Sequence, residues 1–374
     1  MKIPKLVIIA ASLLLLISCG NNSEKADVKK TTAPAVQTSK TAAATNAAKK
    51  ETAAAKPAAT ETKTEKPAET PKPIPKLTVE PKDNKEAVPF NTSISSVDFA
   101  RNVTIGWNLG NTLDATGNSG LNSETSWGAP KTTQAMIHGI KTAGFKSIRI
   151  PISWSKHVIS EDCTIDPQWI ARVKQIVDWA YNEGLYVIIN IHHDNYSITE
   201  LSSRNGGFAV TPDPVLQAKS KAFISAVWTQ VAANFNNSYD EHLIFEILNE
   251  PRDINGKIWG NEWWLNSNNA VNAQKIITEY EKVGIDAIRE SGGNNANRFI
   301  MVPDYAASSD YGTILNNYYM PKDTANDKLI LSVHAYSPYT FAMYDGSKVH
   351  EKLTDADKIG LTNFFKYLNS HYIN

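Results

Sequence analysis

Short apolar runs rich in β-branched residues alternate along this chain with longer stretches in which apolar positions recur every three or four residues. The runs are Val103–Leu109, Ser147–Ile150, Leu185–Ile191, His242–Leu248, Arg298–Val302 and Lys328–Val333. The longer stretches are Asp166–Gly184, Pro214–Phe235, Ala270–Gly292 and Asp357–Ser370. In the first of these Asp166 caps and Pro167 takes the first helical position. Ile170, Val173, Val177 and Ala180 share one face, and Gly184 ends the helix. Strands alternating with helices predict a parallel sheet. Continuous runs such as Val187-Ile-Ile189 predict strands covered on both faces.

A doubly wound sheet and a closed barrel both satisfy that alternation, and two features favour the barrel. No glycine-rich phosphate turn follows the first strand, since Gly106-Trp-Asn-Leu-Gly110 lies within it and has the wrong spacing. Nearly every strand also ends in polar, reactive side chains. They are Asn108 and Asn111, then Arg149, then His192, His193 and Asp194. Asn249 and Glu250, Asp304 and Tyr305, and His334 and Tyr336 follow. In a (β/α)₈ barrel such ends converge on one rim, where active sites are built.

Composition divides the chain near residue 90. The first ninety residues contain no Trp, Tyr or Arg, and hold 15 Lys against 9 acidic residues. The remainder carries 23 basic and 29 acidic residues, so a net charge of zero hides a cationic arm and a mildly acidic body. An acidic body argues against nucleic acid as a partner. Residues 1–18, with Lys2, Lys5 and the apolar run Leu6–Ile17, read as a secretory leader too short to span a bilayer. Leu16-Ile-Ser-Cys19 looks like a lipoprotein cleavage box, with Cys19 as the lipidated new N-terminus. That expectation puts the protein on a lipid anchor at the bacterial cell surface or outer membrane. Residues 19–90, rich in Ala, Lys, Thr and Pro, are expected to be a disordered tether. Residues 91–374 are then expected to form a single monomeric barrel domain.

Leu243-Ile-Phe-Glu-Ile-Leu-Asn-Glu-Pro251 carries the most chemical information. A carboxylate at the end of a buried strand is desolvated enough to raise its pKa, yet accessible to substrate. Glu250 is therefore expected to be an acid with work to do, and Glu246, further inside the strand, a buried partner of an arginine. Adjacent His192 and His193 invite a metal reading, but neighbouring strand residues point to opposite faces, which speaks against a shared ion.

The strand-end motifs together resemble glycoside hydrolase family 5, the large cellulase family. The matching pieces are Gly106-Trp-Asn-Leu-Gly-Asn111, Ile148-Arg-Ile-Pro-Ile152, Ile191-His-His-Asp194, Leu248-Asn-Glu-Pro251 and Val333-His-Ala-Tyr336. The resemblance runs from about Ser96 to the end of the chain. It implies a retaining endo-β-1,4-glucanase acting on cellulose or related β-glucans, with two carboxyl groups ~5 Å apart and no metal or organic cofactor. In that scheme Glu250 is the acid/base and Asn249 binds the 2-hydroxyl of the sugar being cleaved. Arg149 and Tyr336 hold the nucleophilic carboxylate, and His192 and His334 orient substrate and acid. Pyranose faces stack on indole, so Trp127, Trp259, Trp263 and Trp264 are candidate platforms, with His193 and Asn111 further candidates for the groove. Trp107 and Trp154 also fall in rim loops, whereas Trp169, Trp179 and Trp228 fall in helices.

The pattern departs from the family in one respect. Family members carry the nucleophile as a Glu on the seventh strand, and only six βα units are legible here, the last ending near Ser370. Glu351 opens a polar stretch and ends no strand. The expectation is a catalytic barrel whose nucleophile lies beyond Asn374, so that the 374 residues alone hydrolyse neither carboxymethylcellulose nor xyloglucan. A non-catalytic carbohydrate-binding lipoprotein is the alternative from another class. The same fold acting on xyloglucan, lichenan, xylan or mannan is the alternative within it.

Overall fold

A computed structural model describes residues 6–9, 77–343 and 352–373 of the protein. Cys19, most of the expected tether and Glu351 lie outside them. One parallel sheet organises the body. Its strands are β1 (Leu6–Ile9), β2 (Gly106–Asn108), β3 (Ser147–Ile150), β4 (Tyr186–Asn190), β5 (Leu243–Glu246), β6 (Ile300–Pro303) and β7 (Leu329–Val333). The helices are α1 (Ser96–Val103), α2 (Gln134–Thr142), α3 (Pro167–Asn182), α4 (Ile198–Ser202), α5 (Pro214–Asn234), α6 (Ser267–Glu290), α7 (Tyr339–Ala342) and α8 (Asp355–Leu368). From β2 to β7 the strands lie side by side in chain order, as successive βα units demand. Those six strands form part of a (β/α)₈ barrel.

Registers such as Ile148↔Val187, Val187↔Leu243, Phe245↔Ile300 and Val302↔Leu331 keep the strand ends level, so residues just past each strand gather at one rim. Strands β3, β5 and β6 are buried along their whole length. Helices and core cover both of their faces, as their unbroken apolar sequence requires. Trp154, Trp169, Trp228, Phe223 and Phe245 fill the main core with the inner faces of α3, α5 and α6.

Local chemistry explains most element boundaries. Asp166 and Asp213 cap α3 and α5 ahead of a proline in the first turn. Thr354 and Asp357 form a capping box at α8, so Asp357 is the helix's third residue and the helix begins earlier than its periodicity suggested. The expected first strand is trimmed to three residues because Ser96–Val103 is a helix, capped by Ser95. Helix α2 was not expected: it is short, and Ile137 is its only buried residue.

At the far edge Leu6–Ile9, part of the expected leader, pairs parallel with Leu329–Val333. An apolar run suited to a leader also suits the backbone groups of an uncovered strand edge. No helix among the described residues is long and apolar enough to cross a membrane.

Candidate active site

Five strands, β2 to β5 and β7, contribute the polar centre of the rim. Arg149 on β3 forks three ways. Its Nε donates to Glu246 Oε2 at 2.8 Å, its Nη2 to Asn249 Oδ1 at 2.7 Å, and its Nη1 to Asn108 Oδ1 at 3.1 Å. Glu246 is fully buried and also accepts from Asn190 Nδ2 at 2.8 Å and Ser332 Oγ at 2.7 Å. A buried charge pair needs such additional hydrogen bonds to offset its desolvation. Glu246 is thus the arginine partner its position suggested, and through Arg149 it fixes the amide of Asn249.

Asn190 sets the state of His192. Its Oδ1 accepts from Ile152 N at 3.1 Å, so its Nδ2 is the donor to Glu246 and to His192 Nδ1 at 3.0 Å. His192 Nδ1 must then be a lone pair, which puts the ring proton on Nε2. Burial, reinforced by Arg149 and the neighbouring histidines, holds His192 well below its usual pKa and keeps it neutral. The ring can offer Nε2–H to a sugar oxygen.

Glu250 lies four residues past the last residue of β5, beyond the strand rather than on its final residue. The two oxygens of its carboxyl face different partners. Oε1 meets His334 Nδ1 at 2.8 Å, and Oε2 lies 3.6 Å from Arg252 Nη1. Burial pushes this carboxyl up, but the His334 hydrogen bond and charge, then Arg252 and Arg149, outweigh it and hold Glu250 below the ordinary range. The expected rise is therefore corrected: cationic and donor neighbours win over desolvation. Other strand-end carboxylates among the described residues are engaged elsewhere. Asp194 accepts from Trp154 N and Ser155 N, and Asp304 from Ser308 N. Burial raises Asp194 to about 6. Tyr336 stands partly buried three residues past β7.

The two histidines are closer than alternation implied. Both lie beyond the end of β4, where strand geometry no longer applies, and their rings meet edge to face with centroids 4.4 Å apart. Asp114 joins them, 3.7 Å from His193 Nε2. The three ligand atoms lie within 4.8 Å of one another, so the triad could in principle hold a divalent ion. Two features weigh against it. The His192 nitrogen turned from Asn190 carries the proton, and Arg149, Arg252 and His334 all act on His192 as positive charge.

Aromatic groups flank this centre. Trp127 is 44 % exposed and its ring lies 5.3 Å from that of His193. Its loop is fixed from below: Glu124 pairs with Arg172 of α3 at 2.7 Å and accepts from Thr132 N. Trp263 and Trp264 are exposed beyond β5, whereas Trp259 is partly buried against the core. Trp154 and Trp107 are structural: Trp154 is buried with Nε1 donating to Asn190 O, and Trp107 packs against Phe145. Asn111 is exposed in a turn with φ +60°. Sequence reasoning missed Asn190, Asp114, Arg252 and Glu262. The first three follow or adjoin named motif residues, but their roles depend on partners far away in sequence.

Comparison with known proteins bears on this geometry. The profile of the family described as "Cellulase (glycosyl hydrolase family 5)" matches residues 113–372. "Endoglucanase B" of Ruminococcus albus is 42 % identical over 284 residues, covering 75 % of this chain and 63 % of that protein. The chain thus spans just under two thirds of the length of that relative. A solved "broad specificity endoglucanase" from Ruminococcus champanellensis with bound cellotriose superposes with TM-score 0.63 at 36 % identity, covering 76 % of this chain and 77 % of the other. A lichenase from Caldicellulosiruptor sp. F32 in complex with cellotetraose gives TM-score 0.66 at 35 % identity, with 81 % and 79 % covered.

Proposed function

The chain belongs to glycosyl hydrolase family 5, and we propose that it serves a retaining endo-acting hydrolysis of β-1,4-glucosidic bonds in cellulose and related β-glucans. One observation carries this reading. Glu250 presents its carboxyl at the rim between His334 and Arg252, next to an Asn249 amide that Arg149 holds in one orientation. Glu250 protonates the departing glycosidic oxygen and then removes a proton from the incoming water. With its Oδ1 tied to Arg149, Asn249 has only Nδ2–H to offer, which suits a sugar 2-hydroxyl as acceptor. His192 Nε2–H adds a second donor. Trp127 is a platform for the apolar face of a pyranose ring.

An acid must be protonated when it acts, and the described neighbours of Glu250 favour its ionised form. Retention requires a nucleophilic carboxylate ~5 Å away. Such a like charge disfavours ionisation and returns Glu250 toward the protonated state. We assign the nucleophile to a carboxylate outside the described residues. The N-terminal Cys19 we propose as a lipid anchor, holding a monomeric body at the cell surface.

The test uses the full-length gene product on carboxymethylcellulose, lichenan and xyloglucan. Glu250→Gln is expected to lower kcat by roughly 10²–10⁴-fold, the range typical of losing a general acid. Glu250→Ala is expected to regain turnover with azide and release a β-glycosyl azide. A 2-fluoro-cellobioside trap should label a carboxylate other than Glu250. Label on Glu250 itself, or undiminished turnover by the Gln variant, would sink the assignment.

A further inference from the structure

The Arg252 N–H is bound by Asn195 Oδ1 at 2.7 Å, which anchors its backbone independently of its side chain. The guanidinium does three other things at once. Its Nη1 donates to the Glu250 carbonyl at 3.1 Å and lies 3.6 Å from the Glu250 carboxylate. Its Nε donates to Glu262 Oε1 at 2.8 Å. Its Cζ lies over the indole of Trp263, 4.1 Å from the ring centroid. Trp263 nevertheless remains 45 % exposed, so one part of the ring rests on a cation and the rest faces solvent.

The loop that carries Trp263 is held in one shape. Asp253 Oδ2 accepts from the N–H groups of Ile258 and Trp259. Asn261 Oδ1 accepts from those of Trp263 and Trp264. Tyr305 Oη donates to the Glu262 carbonyl at 2.9 Å, and Glu262 Oε2 accepts from Asn255 N. Gly256, with φ +59°, comes so near the Asn261–Glu262 backbone that a Cβ there would lie 2.7 Å from Glu262 N. A rigid loop presenting an indole backed by a guanidinium is a pre-organised surface for the apolar face of a pyranose.

We propose that Arg252 is a positioning residue that ties Trp263, as a sugar platform, to Glu250. It backs the indole on one side and sets the orientation and charge of the carboxylate on the other. Glu262 holds the guanidinium in the plane that lets it do both. This rests on the β-glucan reading, because it takes a glucan ring as the occupant of Trp263. A flat, bidentate cation is required, so lysine can supply the charge but not the fork or the stack.

The full-length gene product and its Arg252→Lys, Arg252→Met and Trp263→Ala variants separate the two halves of the claim. The Glu250 carboxyl is titrated by ¹³C NMR, with its signal assigned by loss in Glu250→Gln, and cellotetraose affinity is measured by calorimetry on its thio-linked analogue, which a glycosidase does not cleave. Arg252→Met should raise the Glu250 pKa, as removal of a nearby opposite charge does, and weaken cellotetraose about tenfold. Arg252→Lys should leave the titration close to that of the wild type yet still lose affinity. Trp263→Ala should lose affinity with Glu250 titrating as in the wild type. A wild-type protein that binds cellotetraose, with an Arg252→Met variant unchanged in both readouts, overturns the inference. A wild-type protein that binds no glucan oligosaccharide overturns the β-glucan reading instead, and the titration still reports on Arg252.

Discussion

His157 shows how one residue couples packing to pH. It is buried with its ring stacked on Trp169, centroids 3.6 Å apart, and neither ring nitrogen has a hydrogen-bond partner among the described residues. Burial lowers its pKa from 6.5 to about 4, against a smaller opposing pull from Asp166. The native state therefore declines a proton that the unfolded chain accepts between those two values. Its neutral form contributes full stability above pH 6.5, and that contribution is lost as pH falls toward 4. At about 1.4 kcal/mol per unit the loss is about 3 kcal/mol. His157→Phe should keep the stack and remove the titration. Urea melts from pH 7.5 to 4.5 should show the variant gaining on the wild type as the medium acidifies. The comparison is differential because Asp194, raised to about 6 by burial, tilts the absolute curve the other way. A constant difference between the two proteins across that range would exclude the mechanism.

At the scale of elements, the helices behind the sheet pack closely. Helices α5 and α6 are the long pair packed on each other, and Gly284 of α6 lies close against Trp228 of α5. A Cβ added there would meet Ile247 Cγ2 at 2.9 Å and Trp228 Cδ1 at 3.0 Å. Both belong to the core, and Trp228 Nε1 donates to the Ile247 carbonyl three residues before Glu250. Gly284→Ala has a propensity gain of about 1 kcal/mol available in a helix interior. Overpacking a filled core costs about 1–3 kcal/mol, and here the clash is with well-held groups. The variant should be destabilised by about 1 kcal/mol, seen as a lower urea midpoint at unchanged slope. A more stable variant would mean that the helices can separate without penalty. Elements of this kind were legible in the sequence wherever periodicity and caps agreed, as in α3 and α5. The reading failed where they conflicted. Ser96–Asn102 was given no element and Val103 was read as the start of a strand, because the helix's burial depends on Phe299, two hundred residues away, against which Phe99 stacks at 3.8 Å.

The whole molecule joins a cationic arm without Trp, Tyr or Arg to an acidic body with a large core. The apolar run at residues 6–17 is read as a leader, and its first four residues, Leu6–Ile9, also form an edge strand beside Leu329–Val333. Each rests on the same property, a short apolar segment whose backbone groups need partners. They differ in consequence. If the run is removed at Cys19, the mature protein sits on acyl chains, which hold stably only when more than one is present. Cys19→Ser should therefore move the protein from the membrane pellet to the soluble fraction and abolish palmitate labelling. Retention of the variant in the pellet with label still attached would rule out Cys19 as the anchor site.

The sequence by itself determined the class of fold, the order of its strands and the rim on which reactive groups would gather. Those follow from periodicity and from residue types at strand ends, which are local properties of the chain. It also brought Glu246 to an arginine, because depth along a strand is local too. Only the tertiary structure decided the electrostatic state of Glu250. Burial alone argued for a raised pKa, and the sign is reversed by His334 and Arg149, 84 and 101 residues away in sequence, together with Arg252. The same holds for the His192 tautomer, fixed through Asn190 by the amide of Ile152, and for the indole that Arg252 carries. Charge and hydrogen-bond direction depend on every neighbour in three dimensions, and no pattern along the chain encodes that sum.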